Sequence, residues 1–218
     1  MAKPLAKLLS LLTPKRCWAQ FSLATMFVGV TVLCVWLAVV VNRAHRQRDA
    51  VAAFEALGGT VEYAEPDESA SEAFPKRFLR RWLARDYFDD VIHVKLYRIQ
   101  IPDAGLAHLE GLTSLRQLDL GEDALVTDAG LCHLEGLTRL QQLSLNCAQV
   151  TDAGMAHLQG LTAMQWLLLN DTRVGDTGLA HLEGLTGLQW LHLNDSQVTD
   201  AGVAQLRKAL PIRYIGGP

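Results

Sequence analysis

Three patterns of apolar and polar positions succeed one another along the chain. The first is an unbroken apolar run. Residues 17–42 carry no formal charge, and 21–41 are almost wholly apolar. A helix rises about 1.5 Å per residue, so roughly 20 such residues cross the hydrocarbon layer of a bilayer. The run therefore predicts a single membrane-spanning helix over 17–42. Trp18 and Trp36 lie towards its ends, where indoles favour the headgroup region. A cleaved signal peptide has a shorter apolar stretch and then a small-residue cleavage site. Here Arg43, Arg46 and Arg48 come next instead, which favours an uncleaved anchor. Gly29 has no glycine four residues away, so the small-residue helix-pairing motif is absent.

The second pattern is mixed. Residues 43–57 predict a helix with Val51, Phe54 and Leu57 on one stripe, stopped by Gly58 and Gly59. Residues 60–63 suit a short strand, and 65–72 form an acidic polar linker without an apolar anchor. Pro75 suits the first turn of a helix reaching about Tyr87, with Phe78, Leu79, Trp82 and Leu83 on one face. That face is expected to cap the open end of the domain C-terminal to it. The expected organisation is a basic tail (1–16), a transmembrane helix (17–42), a juxtamembrane helix and linker (43–74), a capping helix (75–90) and a repeat domain (91–218).

The third pattern is the repeat. Val-Thr-Asp-Ala-Gly occurs at 126–130, 150–154 and 198–202, with Val-Gly-Asp-Thr-Gly at 174–178 and Ile-Pro-Asp-Ala-Gly at 101–105. The period is 24, with one extra residue near 121–125. Each later copy is preceded by Leu-x-x-Leu-x-Leu, as in Leu140, Leu143 and Leu145. A 20–29-residue period with this leucine spacing is the signature of leucine-rich repeats. Side chains alternate across a strand. Hence Val94 with Leu96, Leu118 with Leu120, Leu143 with Leu145, Leu167 with Leu169 and Leu191 with Leu193 are expected inside parallel strands near 94–96, 118–120, 143–145, 167–169 and 191–193. No single copy buries its leucines alone, and stacking gives one continuous core. Asp128 and its equivalents are expected to cap short helices that carry Leu131, Leu134 and Leu137 inward. The fold class is α/β: a leucine-rich-repeat solenoid with parallel strands on its concave face and short helices on its convex face, after one transmembrane helix.

The repeats resemble those of bacterial membrane-anchored leucine-rich-repeat proteins built from V-T-D-A-G-L units. They are also similar to the cysteine-containing repeats of F-box proteins, which usually carry Cys or Asn in the turn after the strand. Ala148, Thr172 and Ser196 align there, with Cys147 one place early, and no F-box-like segment precedes them. Both resemblances imply a horseshoe that holds a protein or peptide on its concave strands, and the second implies an alternative role as a ubiquitin-ligase adaptor.

On that expected face the outward positions change from copy to copy. His93, Lys95 and Tyr97 come first, then Gln117, Asp119 and Gly121, then Gln142, Ser144 and Asn146. Next are Trp166, Leu168 and Asn170, and finally Trp190, His192 and Asn194. Exposed tryptophan on a rigid surface is enriched in binding hot spots. Trp166 and Trp190 are therefore the expected partner-binding residues, flanked by Leu168, His192, Asn170 and Asn194. Residues 211–215 align with a truncated strand and are expected to close the edge of the stack instead of covering this face.

Charge narrows the functional classes. Residues 1–48 hold seven basic side chains and no acidic one, 49–90 hold five against ten, and 91–218 hold eight against thirteen. An acidic repeat domain argues against nucleic acid, which needs a basic face. Four Lys/Arg precede the apolar run and three come soon after it, so the positive-inside rule selects no orientation. His108, His133, His157 and His181 repeat at one position. Repetition makes them parallel, whereas a metal needs ligands that converge. Neither a nucleophile elbow nor a phosphate-binding glycine loop is present. The expectation is a non-enzymatic interaction protein without metal or cofactor.

Overall fold

The computed structural model describes residues 23–64, 90–96, 99–121, 125–146 and 149–217, with side chains from Met26 onward. The basic tail 1–16, Trp18, the acidic linker, the helix expected over 75–87, Tyr97 and Ala148 lie outside these residues. The chain divides into two units, 1–41 and 42–218.

Helix α1 (Leu23–Ala56) is continuous through the junction expected at 42–43. Among the described residues one helical stretch, Met26–Ala56, is long and apolar enough to cross a membrane, with a mean hydropathy of 2.0 in its most apolar window. In the first unit its side chains from Met26 to Leu37 are all exposed.

Within the second unit, the C-terminal part of α1 covers the first repeat. Ala44, Gln47, Ala50, Val51 and Phe54 are buried on one stripe, the three-to-four spacing of a helix face. Phe54 sets its ring edge-on to His108, with centroids 6.3 Å apart. Arg43 reaches Asp90 at 2.7 Å and Ser114 at 2.9 Å. Leu57, expected on the same stripe, is exposed. The helix ends at Ala56 and the chain reverses through Gly58, whose φ of 88° is cheap only for glycine. Leu57 is thereby carried off the face.

Strand β1 (Thr60–Tyr63) pairs antiparallel with β2 (Val91–Lys95). Five short strands then add in chain order, all parallel: β3 (Gln117–Asp119), β4 (Gln142–Ser144), β5 (Trp166–Leu168), β6 (Trp190–His192) and β7 (Tyr214–Gly216). β2 begins three residues before its expected span and β3 to β6 one residue before theirs, while β7 begins at 214, within the expected 211–215. The register stacks like on like: Val94, Leu118, Leu143, Leu167, Leu191 and Ile215 are successive partners. Leu118, Leu143, Leu167 and Leu191 are at most 1% exposed. Short helices come after β2 to β6: α2 (Asp103–Leu106), α3 (Asp128–Leu131), α4 (Asp152–Met155), α5 (Asp176–Ala180) and α6 (Asp200–Ala209). Leu131, Leu134 and Leu137 are fully buried beneath them.

The aspartates of the repeated phrase do not cap their own helices. That role falls to the preceding threonine: the hydroxyls of Thr127, Thr151 and Thr199 accept from the backbone N–H of Ala129, Ala153 and Gly202. The aspartates of the first four copies instead reach the next copy. Asp103 takes the N–H (2.8 Å) and hydroxyl (2.6 Å) of Thr127. Asp128 does the same to Thr151, and Asp176 to Thr199. The glycine of the phrase makes room for this bond, since a Cβ on Gly130, Gly154 or Gly202 would collide with the carboxylate. Where Gly175 replaces threonine, Asp152 keeps only the backbone N–H, at 2.6 Å.

Candidate functional site

The sheet face opposite the helices divides into two halves. On β1 and β2 the charged groups pair with each other. Glu62 lies 2.8 Å from His93 Nδ1 and accepts from Lys95 Nζ at 2.9 Å. Those two hydrogen bonds, Lys95 first, hold the Glu62 carboxyl below its usual range. Asp119 accepts the N–H of Gly121 at 3.0 Å. Gly121, expected to face outward, is buried, and Ser144 is nearly so at 9%. Gly121 lies past the end of β3, and Ser144 is the last residue of β4, its hydroxyl accepting from the Asn146 amide at 3.3 Å.

The β5–β7 end is aromatic. Trp166 and Trp190 are register partners. Their rings are stacked 4.7 Å apart at an interplanar angle of 15°. The separation equals the spacing of neighbouring strands, about 4.8 Å, so backbone register sets the stack. Trp166 is 36% exposed and Trp190 half-buried. Tyr214, in register with Trp190, extends the row, with its ring 5.7 Å from Trp190 and 5.2 Å from His192. It is 45% exposed. From sequence Tyr214 was expected only to extend the sheet, and its place on the displayed surface was missed. The signal was its position 24 residues after Trp190. Leu168 and His192 are register partners and half-buried.

Asn170 and Asn194, expected to flank the tryptophans, are also bonded from copy to copy. The side-chain oxygen of Asn146 accepts both the backbone N–H (3.2 Å) and the side-chain amide (3.0 Å) of Asn170. Asn170 does the same for Asn194, at 3.0 Å each. This ladder ties successive strand ends together. The chain leaves β5 and β6 through Asp171 and Asp195 with φ of 56°, the left-handed conformation that aspartate tolerates better than most side chains.

On the helical side the histidines face the preceding copy. His133 Nδ1 lies 2.6 Å from Glu110, and His157 Nδ1 lies 2.6 Å from Glu135. His181 meets the Gln159 amide at 2.5 Å. Among the described residues no group of three or more His, Cys, Asp or Glu is placed to hold a metal ion.

The mostly parallel sheet with its short helices fits an α/β leucine-rich-repeat fold. Similar solved structures include an internalin C2 from Listeria monocytogenes, at 28% identity over 51% of this chain and 55% of that one, with a TM-score of 0.36. An internalin (inlF) from the same organism is 23% identical over 54% and 46%, also at 0.36. The LRR ectodomain of the receptor kinase SOBIR1 from Arabidopsis thaliana is 12% identical over 80% and 97%, with a TM-score of 0.47. The chain spans about half the length of the internalins it matches. No protein-family model matches it, and neither does any curated protein.

Proposed function

We propose that the chain is a membrane-anchored leucine-rich-repeat solenoid that binds a protein or peptide on its concave strand face, through the surface built on Trp166, Trp190 and Tyr214. The Trp166–Trp190 stack carries this reading. Two large rings stand on a hydrogen-bonded sheet in fixed register, more than a third of Trp166 is open to solvent, and Tyr214 lies beside them instead of over them. Burying such rings in a partner removes apolar area from water while costing few rotamers. The apolar run before Arg43 supports the anchor, because it is longer than a signal peptide's apolar region.

Two measurements test the reading. A photo-crosslinking residue at Leu168 should yield a defined adduct, and the same residue at Ala153, on the helical side, should not. Equal adducts from both positions would sink the assignment of the face. Alkaline carbonate should leave the full chain in the membrane pellet and release a chain lacking residues 23–41. Release of the full chain would remove the anchor from the reading.

A further inference from the structure

Each copy covers the core of the one before it, and the last copy leaves its own core partly uncovered. Leu179, Leu188 and Leu191 are at most 2% exposed. Their equivalents in the last copy, Val203, Ile212 and Ile215, pack on the same core and are only half-buried. The backbone beside them is open as well. Tyr214 donates its N–H to the Gln189 carbonyl, and the Gly216 carbonyl accepts from the Leu193 N–H, so both residues are turned to β6. Alternation turns the N–H and C=O of Ile215, between them, to the opposite edge, where no strand lies among the described residues. A further parallel copy would find no core leucine and no ladder asparagine to stack on. Gly217 and Pro218 stand where the preceding copy has Leu193 and Asn194.

Helix α6 carries a pattern that is its own complement. Gly202 and Gln205 face the preceding copy, the first packed on Asp176 and the second bonded to Glu183. With about 3.6 residues per turn, the stripe on the far side is Asp200, Val203, Ala204 and Arg207. Reversed, this stripe sets arginine against aspartate and alanine against valine. Two such helices can therefore pack antiparallel, each Asp200 meeting the other's Arg207 in a charge-assisted pair. Asp103, Asp128 and Asp176 each reach the threonine of the next copy. Among the described residues Asp200 has no such threonine to reach.

Strand and helix call for the same symmetry. Opposed residues of an antiparallel pair exchange both backbone bonds, which is what Ile215 offers a copy of itself. About one two-fold axis the two β7 strands lie about 4.8 Å apart and the two α6 helices about 8–10 Å apart. The far end of the sheet is closed by antiparallel β1, so head-to-tail joining has no matching end.

We propose that the occupant of this edge is a second copy of the chain, joined through Ile215 and α6, so that two sheets become one and the two Trp166–Trp190–Tyr214 rows meet at the axis.

Sedimentation equilibrium of the full chain in density-matched detergent micelles should show a monomer–dimer equilibrium. Asp200→Arg and Arg207→Asp should each raise its dissociation constant by about tenfold or more, because like charges then face each other across the axis. The double variant, which restores opposite charges, should return to about the wild-type value. Ile215→Pro removes the donor at the axis from an edge position that tolerates proline, and should weaken the dimer by a similar factor. Where a melting curve shows that a variant has lost its fold, cross-linking decides. With the native cysteines replaced by serine, Ala204→Cys should yield a disulfide-linked dimer on mild oxidation and Ala153→Cys should not. A monomer at every concentration, a dimer indifferent to these charges, single-variant losses that the double variant does not restore, or equal cross-linking from both positions would overturn the proposal.

Discussion

The two halves of the open sheet face share one backbone plan and differ in what their side chains do with one another. On β1 and β2 the outward groups satisfy each other: Glu62 engages both His93 and Lys95. From β5 to β7 the outward groups are rings that stack in register and still present solvent-accessible surface. The strands beneath carry one inward column across both halves, Val94 and Leu118 at one end and Leu167, Leu191 and Ile215 at the other. A repeat scaffold thus separates the residues that hold it together from those it displays. A half whose displayed charges are already paired has less to offer a partner than one whose rings are covered on one side only.

The widest break in this comparison would come from the shared core. Leu143 sits in β4, between the halves, and is fully buried. Leu143→Ala should cost about 2–5 kcal/mol through lost burial and a residual cavity. Stacked repeats are coupled through their neighbours, so both halves should melt together. Denaturant melts monitored by Trp fluorescence and by far-UV circular dichroism check this; a loss confined to the Trp signal would mean the halves fold independently.

Trp166→Ala tests the aromatic half alone. Partner affinity should drop by roughly 2 kcal/mol or more, the hot-spot range. Folding stability should drop by only about 1 kcal/mol, the worth of a stacked pair. Comparison of a binding isotherm with a melting curve reads the two effects apart. A larger loss in stability than in binding would make the ring part of the scaffold.

Gly175→Thr should strengthen the stack behind the aromatic half. The backbone at 175 is extended, and a Cβ there meets nothing closer than 3.6 Å. The new hydroxyl would cap α5 and reach Asp152, as Thr151 already does with α4 and Asp128. The expected gain is about 1 kcal/mol, read as a raised denaturation midpoint. A lowered midpoint would mean that the copies do not share one geometry.

The smallest effect concerns Asp176. The Thr199 backbone N–H, and then its hydroxyl, hold this carboxyl below its usual range. A carboxyl whose pKa is depressed by folding stabilises the protein above its unfolded value, and that contribution is lost as pH falls through the folded value. The melting-temperature gap between the wild type and Asp176→Asn should therefore narrow on acidification below the ordinary aspartate range. A gap constant with pH would assign the effect to shape instead of charge.

The leucine columns were legible because burial imposes a period, and a period of 24 survives variation at every other position. The pairing of Trp166 with Trp190 was legible for the same reason. The aspartates were misread because sequence spacing is ambiguous about partners. An aspartate two residues before a glycine can serve its own turn or the turn 24 residues later, and only the stacked geometry favours the second. The same blindness hid the bonds that tie Asn146 to Asn170 and Asn170 to Asn194, which form only when the strand ends are brought together. Gly121 and Ser144 obeyed the alternation rule in sequence but not in exposure, since alternation describes a strand's middle and these strands are three residues long.

The bond from aspartate to the next threonine has a consequence for how such a molecule changes over generations. Most copies of the phrase carry both an acceptor pointing forward and a donor waiting for the copy behind. A duplicated or excised unit of 24 residues therefore closes its own junction with groups it already possesses, and no compensating substitution is required elsewhere. The number of units, and with it the length of displayed surface, is free to drift by whole steps, and the extra residue near 121–125, which leaves the Asp103–Thr127 bonds intact, shows that a unit also accommodates an insertion in the turn after its strand.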